Sequence, residues 1–220
     1  MKSIITSFLL ILTTQVGAQK KKVYLPAWTF QQRNAAIYGL SFGLWNFSDS
    51  IRNTATNGIR FSLIGEGILV GFVPESPVFD NDSSLTEMEK DVPTEVINGI
   101  NISGTGIAGT YLVNGISIGL VGHLTRKTNG LSASTLNFSQ IHNGIQFSIF
   151  VNECYRMNGM QIGILNKSRQ TRGIQIGLWN VNERRKLPLI NWNFRRKNSN
   201  RTTFENSQYK TAQKCKKIKL

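Results

Sequence analysis

The sequence predicts an all-β fold, a β-solenoid or β-roll of about eight repeats of 14–16 residues. The first supporting observation is that nearly the same nine residues occur twice, as YGLSFGLWN from Tyr38 and as RGIQIGLWN from Arg172. The second is that weaker copies lie between them, and the last five are spaced 15, 14, 15 and 14 residues apart. The third is strict alternation of residue types within each copy, which is typical of β-strands. The copies are centred on Gly39, Gly58, Gly99, Gly115, Gly130, Gly144, Gly159 and Gly173.

Alignment on this glycine gives a consistent column pattern. Positions one, three and five after the glycine are mostly apolar, position two is mostly polar, and position four is Gly or Ser in all eight copies. A period of two predicts a strand with one buried face. We therefore expect the apolar columns to be buried and the polar face, including Gln161, to be solvated. The expected buried stack contains Ile118, Phe147, Ile162 and Ile176.

Two β architectures fit these strands, and the sequence leaves both open. One is the parallel β-solenoid or β-roll, with one copy per coil. The other is an antiparallel β-meander or an outer-membrane-type β-barrel, which also reads as alternating segments. The copies all share one orientation-dependent pattern, with Asn before the glycine in six copies and Asn seven residues after it in four. This favours parallel copies, with Asn stacked on Asn at two corners.

Three segments differ from the repeat and define the domain organisation. Residues 1–18 have a basic start, an apolar run and small residues before Gln19, which predicts a signal peptide. Residues 19–194 form the β-repeat domain, with an acidic loop insertion at 74–95 that we expect to be solvated. Residues 195–220 carry nine Lys or Arg against one Glu and few apolar residues, which predicts a disordered basic tail.

The charge distribution bears on the class of partner. The formal net charge is +14, and nine of the twelve acidic residues lie between Asp49 and Glu95. A basic tail on an exported protein meets anionic lipid, lipopolysaccharide or glycan, so these are the partners that the tail suggests. Nucleic acid is not an expected partner, and the ligand is otherwise unknown from the sequence.

The sequence contains no pattern that indicates catalysis. It has no P-loop and no H-E-x-x-H, and its two G-x-S-x-G matches, at 39–43 and 115–119, are copies of the repeat strand, so we assign no catalytic, cofactor-binding or metal-binding residue and no cofactor. Asp80-Asn81-Asp82 is similar to the start of a calcium loop but lacks the glycine and the final glutamate that such a loop needs. The two cysteines, Cys154 and Cys215, are too few for a disulfide framework, and the sequence leaves their pairing open.

The copies around Gly115, Gly159 and Gly173, together with LPLINWNF from Leu187, resemble bacterial surface-repeat proteins built from NG-apolar-x-apolar-G-apolar-x-N units. The resemblance covers about residues 36–194 and brings no catalytic residues with it. It implies a non-enzymatic exported protein at the cell surface, in the outer membrane or in the periplasm, acting as a scaffold or binding module. An integral outer-membrane β-barrel is the alternative.

The signal-peptide interpretation can be tested directly. Material recovered from the cell envelope should begin at or near Gln19, because Val16-Gly17-Ala18 offers the small residues that a signal peptidase reads. Mass spectrometry of the intact protein measures this. An envelope-associated chain that still carries Met1 would contradict the prediction.

Overall fold

The computed structural model describes residues 21–47, 52–73 and 75–194, which are mostly β-strand. This confirms the predicted all-β class. A 3-10 helix, Glu66–Phe72, and one α-helix, α1 (Asp82–Lys90), are the helical elements of the described residues. The strands are β1 (Lys22–Tyr24), β2 (Ala27–Thr29), β3 (Ala35–Asn46), β4 (Thr54–Gly65), β5 (Glu95–Ser103), β6 (Leu112–Gly119), β7 (Gly122–Ile162), β8 (Leu165–Val181) and β9 (Lys186–Asn193).

The strands form one large mixed sheet in which the repeat copies pair in parallel. The order is β1-β3-β4-β5-β6-β7-β8-β9, and β2 also pairs with β3. Where two repeat copies pair, glycine lies opposite glycine, for example Gly58 with Gly99 and Gly159 with Gly173. Only β9, which follows the last copy, pairs antiparallel among the described strands. The sheet runs from β1 to β9 without closing on itself, and its parallel copies differ from the antiparallel order of a meander.

The repeat glycine is required because successive copies approach each other through this residue. Gly130 has a φ of +132°, and a Cβ there would overlap the carbonyl oxygen of Gly115. The same contact recurs at the next copy, where a Cβ on Gly144 would overlap the carbonyl oxygen of Gly130. Only glycine combines this backbone conformation with so close a backbone neighbour.

The asparagine before the glycine forms a ladder that runs along the sheet. Asn98 Nδ2 donates to Asn57 Oδ1 at 2.8 Å, and each later Asn donates in the same way to the Asn of the preceding copy. The ladder contains Asn57, Asn98, Asn114, Asn129, Asn143 and Asn158, with Nδ2–Oδ1 distances of 2.7–2.8 Å. A second, buried ladder joins Asn152, Asn166 and Asn180 at 2.8 Å. The expected stacking of Asn on Asn is therefore observed.

The assignment of the two strand faces from the sequence is wrong. Ile118, Phe147 and Ile176 are 44%, 45% and 38% exposed, and Ile162 is only partly buried. Gln161, expected on a solvated face, is fully buried. The physical reason is that the inner face is narrow and already lined by the Gly or Ser column. At positions two and four after the glycine it holds side chains that are small or polar, and the apolar side chains of positions one, three and five point outward. Buried apolar side chains such as Ile97 and Val113 lie two residues before the glycine.

The insertion at 74–95 is folded rather than a solvated loop. Asn81 Oδ1 accepts a hydrogen bond from the Ser84 amide at 2.8 Å and caps α1. Leu85 and Met88 of this helix belong to a buried apolar cluster that includes Ile141 of β7. Glu95, counted with the insertion from the sequence, is the first residue of β5 and is fully buried.

Three sequence-based predictions concern segments outside the described residues. These are the signal peptide at 1–18, the basic tail at 195–220 and any pairing of Cys154 with Cys215. Cys154 itself lies inside the sheet and is fully buried.

The glycine contact predicts a large effect of a single added methyl group. Gly130→Ala should lower the free energy of unfolding by about 3 kcal/mol, because the Cβ meets backbone and the positive φ disfavours alanine. Gly71→Ala is the matched control, since a Cβ there meets nothing within 4 Å. Urea unfolding of both variants measures the difference. Equal small effects would show that the copies do not pack through the glycine.

Candidate binding face

The inner face of the array contains amide side chains that bond to each other from copy to copy. Gln175 Nε2 donates to Gln161 Oε1 at 2.8 Å, and Gln161 Nε2 donates to Gln146 Oε1 at 2.9 Å. All three side chains are fully buried. Burial of polar groups is tolerated where each has a hydrogen-bond partner, and stacked identical residues supply one in every copy.

The N-terminal part of the inner face contains an ionic cluster. Arg60 Nε donates to Glu95 Oε1 at 3.0 Å, and Arg52 Nη2 lies 3.4 Å from Glu95 Oε2. The Arg60 guanidinium also lies 3.9 Å from the centroid of the Phe30 ring. Arg52 donates to the hydroxyl of Tyr111 at 2.9 Å, and burial raises the pKa of Tyr111 to about 12. Both arginines are committed to these contacts inside the fold, so the cluster is structural.

Two histidines and one cysteine are buried in the same interior. Burial is the main cause that lowers the pKa of His123 to about 4. The Arg60 charge also lowers this pKa, whereas backbone hydrogen bonds raise it. The Ile107 amide donates to His123 Nδ1 at 3.3 Å, which requires a neutral ring at that nitrogen. Burial also lowers the pKa of His142 to about 4 and raises the pKa of the Cys154 thiol well above its usual value. Neutral, enclosed groups of this kind do not supply a nucleophile or base to a substrate.

The outer face of the array contains the three apolar columns. Their exposed fractions include 48% at Phe42, 42% at Ile145 and 65% at Leu178. None of the positions in these columns is charged. Strand spacing of about 4.8 Å and a rise of about 3.3 Å per residue make this apolar face about 38 Å long and about 15 Å wide. Soluble monomers rarely expose a contiguous apolar patch this large without a function for it.

The apolar face is bounded by polar and aromatic residues and is extended by the last strand. The partly exposed Asn57–Asn158 ladder lies along one long edge, at the position before each glycine. Trp45 and Trp179, both about half exposed, lie at the other ends of their strands. In β9, Trp192 and Ile190 are opposite Ile174 and Ile176, so β9 extends the face by one strand.

A cavity of about 530 Å³ lies between α1 and the sheet, lined in part by Met88, Leu124 and Gln140. Its one basic side chain, Arg126, donates from Nη2 to the carbonyl of Glu89 at 2.6 Å and from Nη1 to the carbonyl of Asp91. Arg126 therefore holds the C-terminal end of α1. Two carboxylates, Glu87 and Asp91, also line the cavity and are exposed. Gln140, a buried amide of its lining, bonds to the backbone of Pro77 and Phe79, so it is already occupied within the fold.

The acidic triplet that resembles a calcium loop has other partners. Asp80 pairs with Arg169, and Asp82 Oδ1 accepts hydrogen bonds at 2.8 Å from the Tyr155 hydroxyl and from Gln170 Nε2. These contacts fasten the insertion to β7 and β8. In the part of the chain that the structure describes, no three His, Cys, Asp or Glu side chains are grouped closely enough to hold a metal ion.

Within the described ranges, no helix has both the length and the apolar character needed to cross a membrane. Comparison with protein-family models, with curated proteins and with solved structures finds no significant match to this chain. The functional conclusion therefore depends on the chain's own residues.

From the sequence we assigned no catalytic or ligand-binding residue. The candidate surface consists of the apolar columns, which we expected to be buried in the core. Two features of the sequence were consistent with the observed orientation. The position four residues after the glycine is always Gly or Ser, which indicates a crowded side of the strand. Gln also recurs at position two in three successive copies, Gln146, Gln161 and Gln175, as hydrogen-bonded amide ladders require.

The orientation of the faces gives a paired mutational test. Gln161→Glu should lower the free energy of unfolding by about 3 kcal/mol or more, because it buries a charge and removes the donor to Gln146. Ile176→Gln should change it by less than about 1 kcal/mol, because this side chain lies on the exposed outer face. Chemical denaturation at neutral pH gives both values. The reverse order of the two effects would restore the original assignment of the faces.

The buried histidines predict a loss of stability in mild acid. Their folded pKa of about 4 lies below the unfolded value of 6.5, so the unfolded chain binds more protons between these values. Stability is therefore complete above about pH 6.5 and falls as the pH drops toward about 4, by up to about 3 kcal/mol for each histidine.

His142→Met isolates one of the two contributions, because Met157 occupies the equivalent buried position of the next copy. The variant should lose less stability than the original chain between pH 7 and pH 4.5. Urea unfolding at the two pH values measures this. An unchanged pH dependence would mean that His142 is not buried as a neutral ring.

Proposed function

We propose that the chain is a non-enzymatic exported β-solenoid protein that serves as a scaffold or binding module of the bacterial cell envelope. In this proposal each repeat forms one coil, and the stacked coils present the apolar face as the binding surface. The observation that carries the proposal is the uncharged outer face formed by three apolar columns, beside a buried interior that is largely polar.

The coil arrangement is supported by the parallel pairing of copies one repeat apart. β7 alone contains three successive copies, and the Asn ladder joins Asn129, Asn143 and Asn158 within it. Two successive copies can pair in parallel only if the chain returns to the start of the first copy before the second copy begins. Repeat proteins built in this way offer long regular surfaces that suit binding rather than catalysis.

Export and an envelope location are supported by the sequence. Residues 1–18 read as a signal peptide, and residues 36–194 resemble bacterial surface-repeat proteins. A non-enzymatic role is supported by the state of the chemically active side chains. His123, His142 and Cys154 are enclosed in the interior, where no substrate reaches them.

A second candidate is an integral outer-membrane protein. The observation in its favour is that strands alternate apolar outward and polar inward, as membrane-spanning strands do. Such a protein would be embedded in the bilayer, whereas the proposed module binds at a surface.

Heating of the protein extracted from the native envelope distinguishes the two candidates. The proposed module should migrate identically in gels with and without heating. An integral protein should change its migration on heating. Recovery from the cytosol with Met1 intact would contradict both candidates.

A further inference from the structure

We infer that the apolar face is a lipid-docking surface that inserts into one leaflet of an anionic membrane. The inference deepens the proposed function, because it names the partner of the same binding face. The surface consists of the outward apolar columns of the eight copies, together with Ile190 and Trp192 of β9.

The composition of the face suits acyl chains better than a protein partner. The copies repeat similar aliphatic and aromatic side chains at every strand, such as Ile100, Ile116 and Ile145. The rows of the eight copies are nearly identical and carry no charged side chain that would fix the register of a partner protein; the Arg185 guanidinium lies at the β9 end, 4.5 Å from the Trp192 ring. Lipid requires no register, because it conforms to any apolar surface.

The borders of the face match the polarity change at a membrane surface. Exposed tryptophans, Trp45 and Trp179, lie near one edge and the Asn ladder lies along the other. Tryptophan is favoured at the boundary between acyl chains and headgroups, where its ring meets both environments. Asn side chains at the opposite edge remain among polar groups while the apolar columns enter the leaflet.

Charge complementarity favours an anionic membrane over a second copy of the chain. The chain has a formal net charge of +14, so two copies placed face to face repel each other. Nine of the 26 Lys and Arg residues lie in the tail from Arg195. In the sequence this tail follows β9, the strand that extends the apolar face. The charges are thus connected to the docking surface, where they add attraction to anionic headgroups.

The experiment uses the purified chain with two kinds of sucrose-loaded vesicle. One contains phosphatidylcholine alone, and the other contains phosphatidylcholine with about 30% phosphatidylglycerol, an anionic lipid. We expect sedimentation with the anionic vesicles and retention of binding at high salt, because inserted apolar side chains are not screened. Phosphatidylcholine alone should bind more weakly but measurably.

The face is tested with Ile118→Ser and Phe147→Ser in one chain, since both side chains are nearly half exposed on the outer face. Each substitution contributes about a tenfold loss of partitioning into the anionic vesicles, at about 25 cal/mol per Å² of apolar area, so the double variant should lose about a hundredfold. Val92→Ser is the matched control, because Val92 is 50% exposed in the insertion, away from the columns. It should leave partitioning unchanged within about twofold.

A second measurement needs no folding-sensitive variant. Vesicles containing brominated phosphatidylcholine should quench the tryptophan fluorescence of the original chain, because Trp192 lies on the face. Trp192→Phe should reduce that quenching while binding persists. Absence of quenching in bound protein would overturn the inference.

Other results would also overturn it. Binding that high salt abolishes and that the double Ser variant retains would assign adhesion to the basic tail alone. A dimer that the double Ser variant dissociates, with no vesicle binding, would make a second copy the occupant. Either result leaves the proposed envelope module standing, whereas recovery of the native chain from the cytosol refutes that function whatever the vesicles show.

Discussion

Backbone contact between the repeat glycines is the constraint from which the other features of this structure derive. Each glycine takes a positive φ and presents its Cα to the carbonyl of the preceding copy, as Gly115 does against Gly99. A side chain at this point would separate the strands, so the contact holds the copies in one register. With the register fixed, each position of the motif lies opposite the same position of the next copy.

Fixed register explains why a polar interior is stable here. The inner position four residues after the glycine is Gly or Ser in all eight copies, which leaves little volume on that part of the inner face. Polar residues fit where a neighbouring copy presents the complementary atom, as Asn166 does for Asn152 and Gln161 does for Gln175. A buried hydrogen-bonded amide contributes modestly, but an unpaired one costs about 1–3 kcal/mol, so the ladders specify the stacking as well as stabilising it.

The sequence predicted the all-β class and favoured parallel copies, but it did not predict the orientation of the strand faces. The spacing of Gly130, Gly144 and Gly159 and the Asn before each glycine gave the repeat and the parallel stacking. A period of two reveals that two faces differ, but it does not reveal which of them is enclosed. We applied the usual rule that apolar residues are buried, and this rule failed for columns such as that of Ile118.

The insertion also exceeded what the sequence could provide. Its acidic composition suggested solvent exposure, yet Leu85 and Met88 are spaced so that both face β7 when the segment is helical. The buried pairing of Glu95 with Arg60 depends on residues 35 positions apart in the chain. Contacts at such separation follow from the stacking of copies, which only the three-dimensional arrangement specifies.

The contacts that stabilise this fold do not depend mainly on the apolar face, and this leaves the face available for binding. The described copies are held together by backbone pairing, by the glycine contacts and by interior ladders such as that of Gln146 and Gln161. The outer columns contribute less to these contacts, since a residue such as Leu44 is 77% exposed. The apolar columns of a chain of this design therefore remain available as a surface. Docking can then gain the free energy of burying that surface without any rearrangement of the fold.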